Sequence, residues 1–130
     1  MASHFAAELA KNGCIHTEVF SDLSLITAIS NDLGYEHVFA EPLRRRARGG
    51  DMLVAISSSG RSPNILAAAA VARGRKMDVI TLTAMDDDNP LRQAGTLNAW
   101  IPARRYGDAE SCHAFVLHAW MDDVDISHSE

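Results

Sequence analysis

The sequence predicts an α/β domain with a mostly parallel sheet. Residues 52–56 and 78–83 are short apolar runs rich in branched side chains, which is typical of strands buried on both faces. The alanine-rich residues 63–74 between them favour a helix. A strand, a helix and a strand within about thirty residues form a βαβ unit, whose two strands are parallel.

The ends of this βαβ unit carry turn and capping residues. Gly49 and Gly50 precede the first strand, and a run of serines follows it. Ser62 suits the N-cap of the helix and Pro63 its first position, while Gly74 is expected to end it. The boundaries therefore agree with the hydrophobic pattern.

Weaker signals of both kinds flank the unit. We predict further helices at residues 3–11, 23–30, 37–48, 89–95 and 108–124, and further strands at residues 15–20 and 98–102. Alternating strands and helices indicate an α/β architecture. A chain of 130 residues is expected to form one domain, here residues 1–130.

Composition narrows the class of protein. Seventeen acidic against twelve basic residues give a net charge of −5, which argues against a broad nucleic-acid-binding face despite four arginines within residues 44–48. The longest apolar stretch, residues 65–72, is too short to cross a membrane, and residues 1–4 do not resemble a signal peptide. We expect a cytoplasmic protein with neither a nucleic-acid nor a membrane partner.

The turn after the first strand of the βαβ unit is the most informative segment. Ser57, Ser58, Ser59 and Ser62 lie where a parallel strand ends and a helix begins, which is where open α/β sheets bind ligands. Helix N-termini favour anions, and hydroxyl groups add neutral donors, so this turn predicts a phosphate or phospho-sugar site. The alternative is a polar turn that only caps the helix.

Residues 50–64 resemble the signature of sugar isomerase (SIS) domains, and are most similar to the phosphoheptose isomerases. Further segments resemble the same family in the same order: residues 3–9, 21–24, 30–35 and 106–118. Several separate motifs in order are more specific than any one of them. The resemblance therefore covers nearly the whole chain.

The resemblance implies a three-layer αβα sandwich and an aldose–ketose isomerase that acts on a seven-carbon sugar phosphate. It also implies a homotetramer with active sites between subunits. Family members carry N-terminal helices, a first strand and a glycine-rich turn before the segment that matches residues 3–9. We expect this N-terminal part of the usual fold to be missing.

The family's functional residues carry over position by position. The phosphate-binding hydroxyl groups fall on Ser57, Ser58, Ser59 and Ser62, and the catalytic pair falls on Glu8 and His118. Residues that line the sugar site fall on Asn31, Asp32 and Asp108. Some members hold zinc, and the ligands fall on His4, Glu8, His118 and Glu110, the last in place of a glutamine.

The spacing of these residues is compatible with one site. His4 and Glu8 are four residues apart and share a helix face, as a metal pair or an acid–base pair requires. Glu110 and His118 lie about 80° apart around a helix. Glu8 cannot be both a tight zinc ligand and a free base, so these roles compete.

Three alternatives stay open at this point. The pair His4 and Glu8 can instead form an exposed, solvated helix face. His113, on another face of the last helix, can replace His118 as the active histidine. The chain as a whole can be a non-catalytic SIS module that binds a sugar phosphate or a protein partner.

Overall fold

The computed structural model describes the backbone of residues 1–129 and the side chains of residues 1–124. The elements in chain order are α1 (Ala2–Asn12), α2 (Leu23–Leu33), a 3-10 turn (Tyr35–His37), α3 (Ala40–Arg46), β1 (Met52–Ser57), α4 (Pro63–Gly74), β2 (Asp78–Ala84), α5 (Pro90–Ala94), β3 (Leu97–Ile101) and α6 (Tyr106–Ser129).

The three strands form one parallel sheet in the order β1–β2–β3. In this register Ser57 pairs with Thr83, and Thr83 pairs with Trp100, so all three strands end at one edge of the sheet. The predicted βαβ unit is therefore confirmed, and the sequence of elements repeats it once through α5 and β3.

One face of the sheet packs against α3, α4 and α5. Ala55 of β1 and Val79 of β2 lie in a core with three alanines of α4, Ala68, Ala69 and Ala72. Because alanine is small, α4 lies close to the sheet, and its alanine face packs against residues of the same chain.

The other face packs against α1 and α6. Leu82 of β2 lies in a second core with Phe5 and Leu9 of α1 and Leu117 of α6. Helices thus cover both faces of the sheet, which confirms the three-layer αβα arrangement.

One predicted strand is absent, and the predicted end of α4 is confirmed. Residues 15–20 form no strand but an irregular segment after α1, held in part by a hydrogen bond from the Thr17 hydroxyl to the Ala6 carbonyl. Helix α4 ends at Gly74, as predicted, and the left-handed residue beyond its end is Lys76 at φ 58°. The strand at residues 15–20 was predicted from apolar content alone.

The predicted helix at residues 37–48 is shorter than expected. A 3-10 turn ends at His37, and α3 begins only at Ala40. No helix within the part of the chain that the structure describes is both long and apolar enough to span a membrane.

Candidate functional site

The serine turn, residues 57–62, joins the end of β1 to the start of α4. Ser57 is buried, and its Oγ lies 2.9 Å from the Oγ of Ser62, the N-cap residue of α4. Ser62 therefore caps the helix by backbone position, while its side chain bonds to the strand end instead of a helix amide. Both hydroxyl groups are fixed at the positive end of the α4 dipole.

Gly60 sets the shape of the serine turn. Its amide donates to the Ser57 carbonyl at 2.9 Å, and its φ of 63° lies in the left-handed region. A Cβ at this position would overlap the side chain of Asn89, which is fully buried. Only glycine meets both conditions without displacing its neighbours.

Arg61 of the serine turn contacts the loop after β2. Its guanidinium lies 3.4 Å from a carboxylate oxygen of Asp86 and of Asp88. All three side chains are more than half exposed, so these ion pairs are weak and compete with solvent. The charge of Arg61 therefore lies at the turn and is only weakly paired.

A second cluster lies between α1 and α6, which pack side by side on one face of the sheet. We call it the histidine pocket. It is an open cavity of about 260 Å³ lined by His4, Glu8, Asn12, His118, Met121 and Asp122. The imidazole rings of His4 and His118 are 5.4 Å apart between centroids. The structure therefore brings together the predicted catalytic pair, Glu8 and His118, and His4, a further predicted zinc ligand.

Glu8 is held by two neighbours on its own helix. Its carboxylate accepts hydrogen bonds from Lys11 Nζ and Asn12 Nδ2, both at 3.1 Å. The Lys11 hydrogen bond holds the pKa of the Glu8 carboxyl below its ordinary value, and the charges of Lys11 and His4 act the same way against partial burial. Glu8 is consequently a carboxylate at neutral pH.

Other predicted site residues lie elsewhere in the single chain. Glu110 is exposed on α6 and does not line the histidine pocket. Asp108 accepts a hydrogen bond from Arg105 Nε at 2.9 Å at the start of α6. Asn31 donates to Asp32 at 2.8 Å near the end of α2, and Asp32 lines a separate groove between α2 and α3.

The arrangement of possible metal ligands bears on the zinc prediction. Among the side chains of residues 1–124, no group of three or more His, Cys, Asp or Glu is close enough together to hold a metal ion. Glu8 already bonds to Lys11 and Asn12. The residues present in the single chain therefore do not form a zinc ligand set, and zinc stays a prediction.

His113 is not exposed to substrate. Its side chain is fully buried, and its Nε2 lies 3.0 Å from the Thr83 carbonyl oxygen at the end of β2. His118, in contrast, is exposed and lines the histidine pocket. Of His113 and His118, it is His118 that faces the pocket shared with Glu8.

Asp122 and Met121 are pocket residues that the sequence interpretation missed. Asp122 follows His118 by four residues and therefore lies on the same helix face. That spacing was available in the sequence as a signal for Asp122. Met121 had no such signal, because an apolar residue in this helix is equally expected in the core.

Residues 1–84 match the SIS domain. Over 132 aligned residues the chain is 36% identical to the phosphoheptose isomerase of Aromatoleum aromaticum and 35% identical to that of Laribacter hongkongensis, covering 95% of this chain and 67% of each relative. The chain belongs to the SIS-domain family, with the phosphoheptose isomerases.

Solved structures of phosphoheptose isomerases have the same fold. The chain matches GmhA from Neisseria gonorrhoeae with a TM-score of 0.89 at 36% identity, over 95% of this chain and 69% of that one. It matches the enzyme from Francisella tularensis with a TM-score of 0.87 at 26% identity, over 95% and 68%. The resemblance of its separate motifs to the phosphoheptose isomerases is thereby confirmed.

Proposed function

We propose that this member of an aldose–ketose isomerase family interconverts sedoheptulose 7-phosphate and an aldoheptose 7-phosphate through an ene-diol. The observation that carries the proposal is the convergence of Glu8 and His118, from the two ends of the chain, in one open pocket. A carboxylate beside an imidazole is a suitable pair for moving protons between neighbouring carbon and oxygen atoms.

The serine turn supplies the anchor in this proposal. Hydroxyl groups of Ser57, Ser58, Ser59 and Ser62, together with the start of α4, would receive the phosphate group. These donors are neutral, so the phosphate keeps its charge. Binding through the remote phosphate orients the reacting end of the sugar.

The proton transfers are assigned to the chain's own residues. Glu8 takes a proton from carbon 1 of the ketose, which gives an ene-diol between carbons 1 and 2, and then gives carbon 2 a proton that has exchanged with solvent in the open pocket. His118 moves the second proton from the oxygen of carbon 1 to that of carbon 2. The product is the aldose, with atoms and charge balanced.

Asn31, Asp32 and Asp108 belong to the same proposal as residues that line the sugar site. They lie away from the histidine pocket within one chain. The resemblance implies active sites between subunits, so we propose that a homotetramer brings them to the site. Sedimentation of the protein tests this: a tetramer supports it, and a monomer that turns over contradicts it.

A cytoplasmic location is also part of the proposal, and fractionation of cells tests it.

The test of the reaction is conversion of sedoheptulose 7-phosphate, followed by NMR before and after treatment with a chelator. We expect an aldoheptose phosphate signal to appear. A folded sample that binds the sugar phosphate without converting it would contradict the isomerase and favour the non-catalytic module. Turnover that falls on chelation and returns with zinc would support the zinc prediction, and turnover unchanged by chelation would contradict it.

A further inference from the structure

The proposed proton transfers leave a fully buried histidine unused. His113 of α6 is 0% exposed, and its Nε2 lies 3.0 Å from the carbonyl oxygen of Thr83. Because a carbonyl oxygen only accepts hydrogen bonds, Nε2 carries the hydrogen and donates it. The ring is therefore held in one tautomer when it is neutral.

The Thr83 carbonyl belongs to a peptide group that has a second partner. The amide of Ala84, on the other side of the same peptide bond, donates to the Ser58 carbonyl at 2.9 Å. In a trans peptide the C=O and N–H groups point in opposite directions. One peptide group thus contacts α6 on one side and the serine turn on the other.

Burial makes this link strong. Thr83 and Ala84 are both 0% exposed, so water does not replace a lost partner at this peptide. Because the pairing of β2 with β3 also supplies a strand amide at this carbonyl, His113 is its additional donor, and losing it costs about the net value of one buried hydrogen bond. Removing the His113 donor is therefore expected to move the peptide and, with it, the Ser58 carbonyl.

The other ring nitrogen supports the same interpretation. The buried Nδ1 of His113 has no hydrogen-bond partner among the described side chains and backbone. The imidazole consequently makes its one polar contact at Thr83. An apolar residue of similar volume would fill the same space and lose that contact alone.

We propose that His113 is a positioning residue for the phosphate-binding turn. Through the Thr83–Ala84 peptide it fixes the Ser58 carbonyl, and so sets the conformation in which the serine turn receives a phosphate group. This rests on the proposed function for the role of the turn. It also links α6, which carries His118, to the turn that anchors the substrate.

The test compares His113→Leu with His113→Gln in the full chain. Leucine removes the donor, while glutamine keeps an amide donor at a similar distance from the backbone. We expect His113→Leu to weaken binding of inorganic phosphate, measured by calorimetry, by about fivefold, and His113→Gln to restore most of it. With a sugar phosphate, KM is expected to rise more than kcat falls.

Leu117→Val is the matched control. Leu117 is buried on the same helix and packs against Leu82, so this change loosens α6 without touching the hydrogen bond. Its phosphate affinity is expected to stay at the wild-type value. A folded His113→Leu variant with wild-type phosphate affinity, or an equal loss in Leu117→Val, overturns the proposal.

A measurement on the wild-type chain covers the case in which His113→Leu does not fold. Inorganic phosphate is titrated while NMR follows the His113 Nε2–H and the Ala84 amide. We expect both signals to shift with the same dissociation constant as the serine-turn amides, and unshifted signals would overturn the proposal. Phosphate binding without isomerisation would contradict only the proposed reaction, whereas the absence of phosphate binding would contradict both proposals.

Discussion

The serine turn and the histidine pocket are assembled in different ways. The serine turn lies within residues 57–62, where a strand end and a helix start fix each other through the bond between Ser57 and Ser62. The histidine pocket takes its residues from α1 and α6, near opposite ends of the chain. The first depends on local backbone geometry, and the second depends on how two helices pack on the sheet.

This difference fits the function that we propose for each region, phosphate binding for the serine turn and proton transfer for the histidine pocket. A phosphate anchor needs donors at fixed positions, which a short turn at the edge of a sheet provides. Proton transfer needs an acid and a base of different chemical type at one place, which two packed helices provide. The predictions below separate the two regions, beginning with the largest expected effect.

Changing the base of the histidine pocket is expected to have the largest effect. Glu8→Gln removes the carboxylate and keeps the shape, so kcat should fall by at least about 100-fold because general base catalysis is lost. Phosphate affinity should not change, since the serine turn is intact. NMR of sugar phosphate conversion checks the expected fall in kcat, and calorimetry with inorganic phosphate checks the unchanged affinity.

The exposed Glu36, outside both regions, supplies the control as Glu36→Gln. Its turnover is expected to equal that of the wild type. Wild-type turnover in Glu8→Gln would remove Glu8 from the reaction and, with it, the assignment of the histidine pocket.

Replacing Gly60, which sets the backbone conformation of the serine turn, is expected to lower the stability of the folded protein. Gly60→Ala forces a Cβ into a left-handed position and against Asn89, and should lower the free energy of unfolding by about 1–3 kcal/mol. Gly74→Ala is the matched control, because its Cβ meets nothing within 4 Å at the end of α4. That change is expected to be neutral or to stabilise by up to about 1 kcal/mol.

Denaturant unfolding of the two alanine variants checks this pair. If Gly60→Ala were as stable as Gly74→Ala, the turn would not need its left-handed conformation. The interpretation of Gly60 as the residue that shapes the anchor would then be wrong.

Removing one hydroxyl from the serine turn is expected to have a moderate effect. Ser62→Ala deletes the partner of the Ser57 hydroxyl and one phosphate donor, so phosphate should bind about fivefold more weakly. Ser111→Ala, at an exposed position of α6, should bind phosphate as the wild type does. Equal affinities in calorimetry would contradict the role of the turn.

The smallest expected effect is a shift in pH dependence. The Lys11 hydrogen bond lowers the pKa of Glu8, so the ionised form is stabilised above the ordinary glutamate pKa and loses that stabilisation as pH falls through the lowered value. Lys11→Met should raise the pKa of Glu8 toward its ordinary value. The acidic limb of the pH–rate profile then begins at a higher pH.

The profile of Lys11→Arg serves as the comparison, because arginine keeps the positive charge. It should resemble the wild type more closely than Lys11→Met does. An acidic limb that does not move in Lys11→Met would mean that Glu8 does not set it.

The sequence predicted the centre of the fold better than its periphery. Strand β1, helix α4 and strand β2 follow from a continuous apolar run, a capped alanine-rich segment and a second apolar run. Residues 15–20 contain three apolar side chains, Ile15, Val19 and Phe20, but have no neighbouring strand in the described structure to pair with. Pairing is a tertiary property, which a single segment does not encode.

The candidate site shows the same contrast between what neighbouring residues predict and what depends on tertiary packing. The serine turn could be predicted because all its residues are adjacent in the sequence. His4, Glu8 and His118 were brought to attention by resemblance, and only the packing of α1 on α6 explains why they meet. The burial of His113 could not be predicted, since its partner is a backbone carbonyl of β2.

The most direct test of this account is incubation of the wild-type chain and Glu8→Gln with sedoheptulose 7-phosphate in deuterated water. An ene-diol formed by Glu8 predicts deuterium on carbon in the sugar phosphate recovered from the wild type and none in that from Glu8→Gln. Deuterium incorporated at equal rates by both proteins, or product formed by the wild type without deuterium, would contradict proton transfer by the histidine pocket.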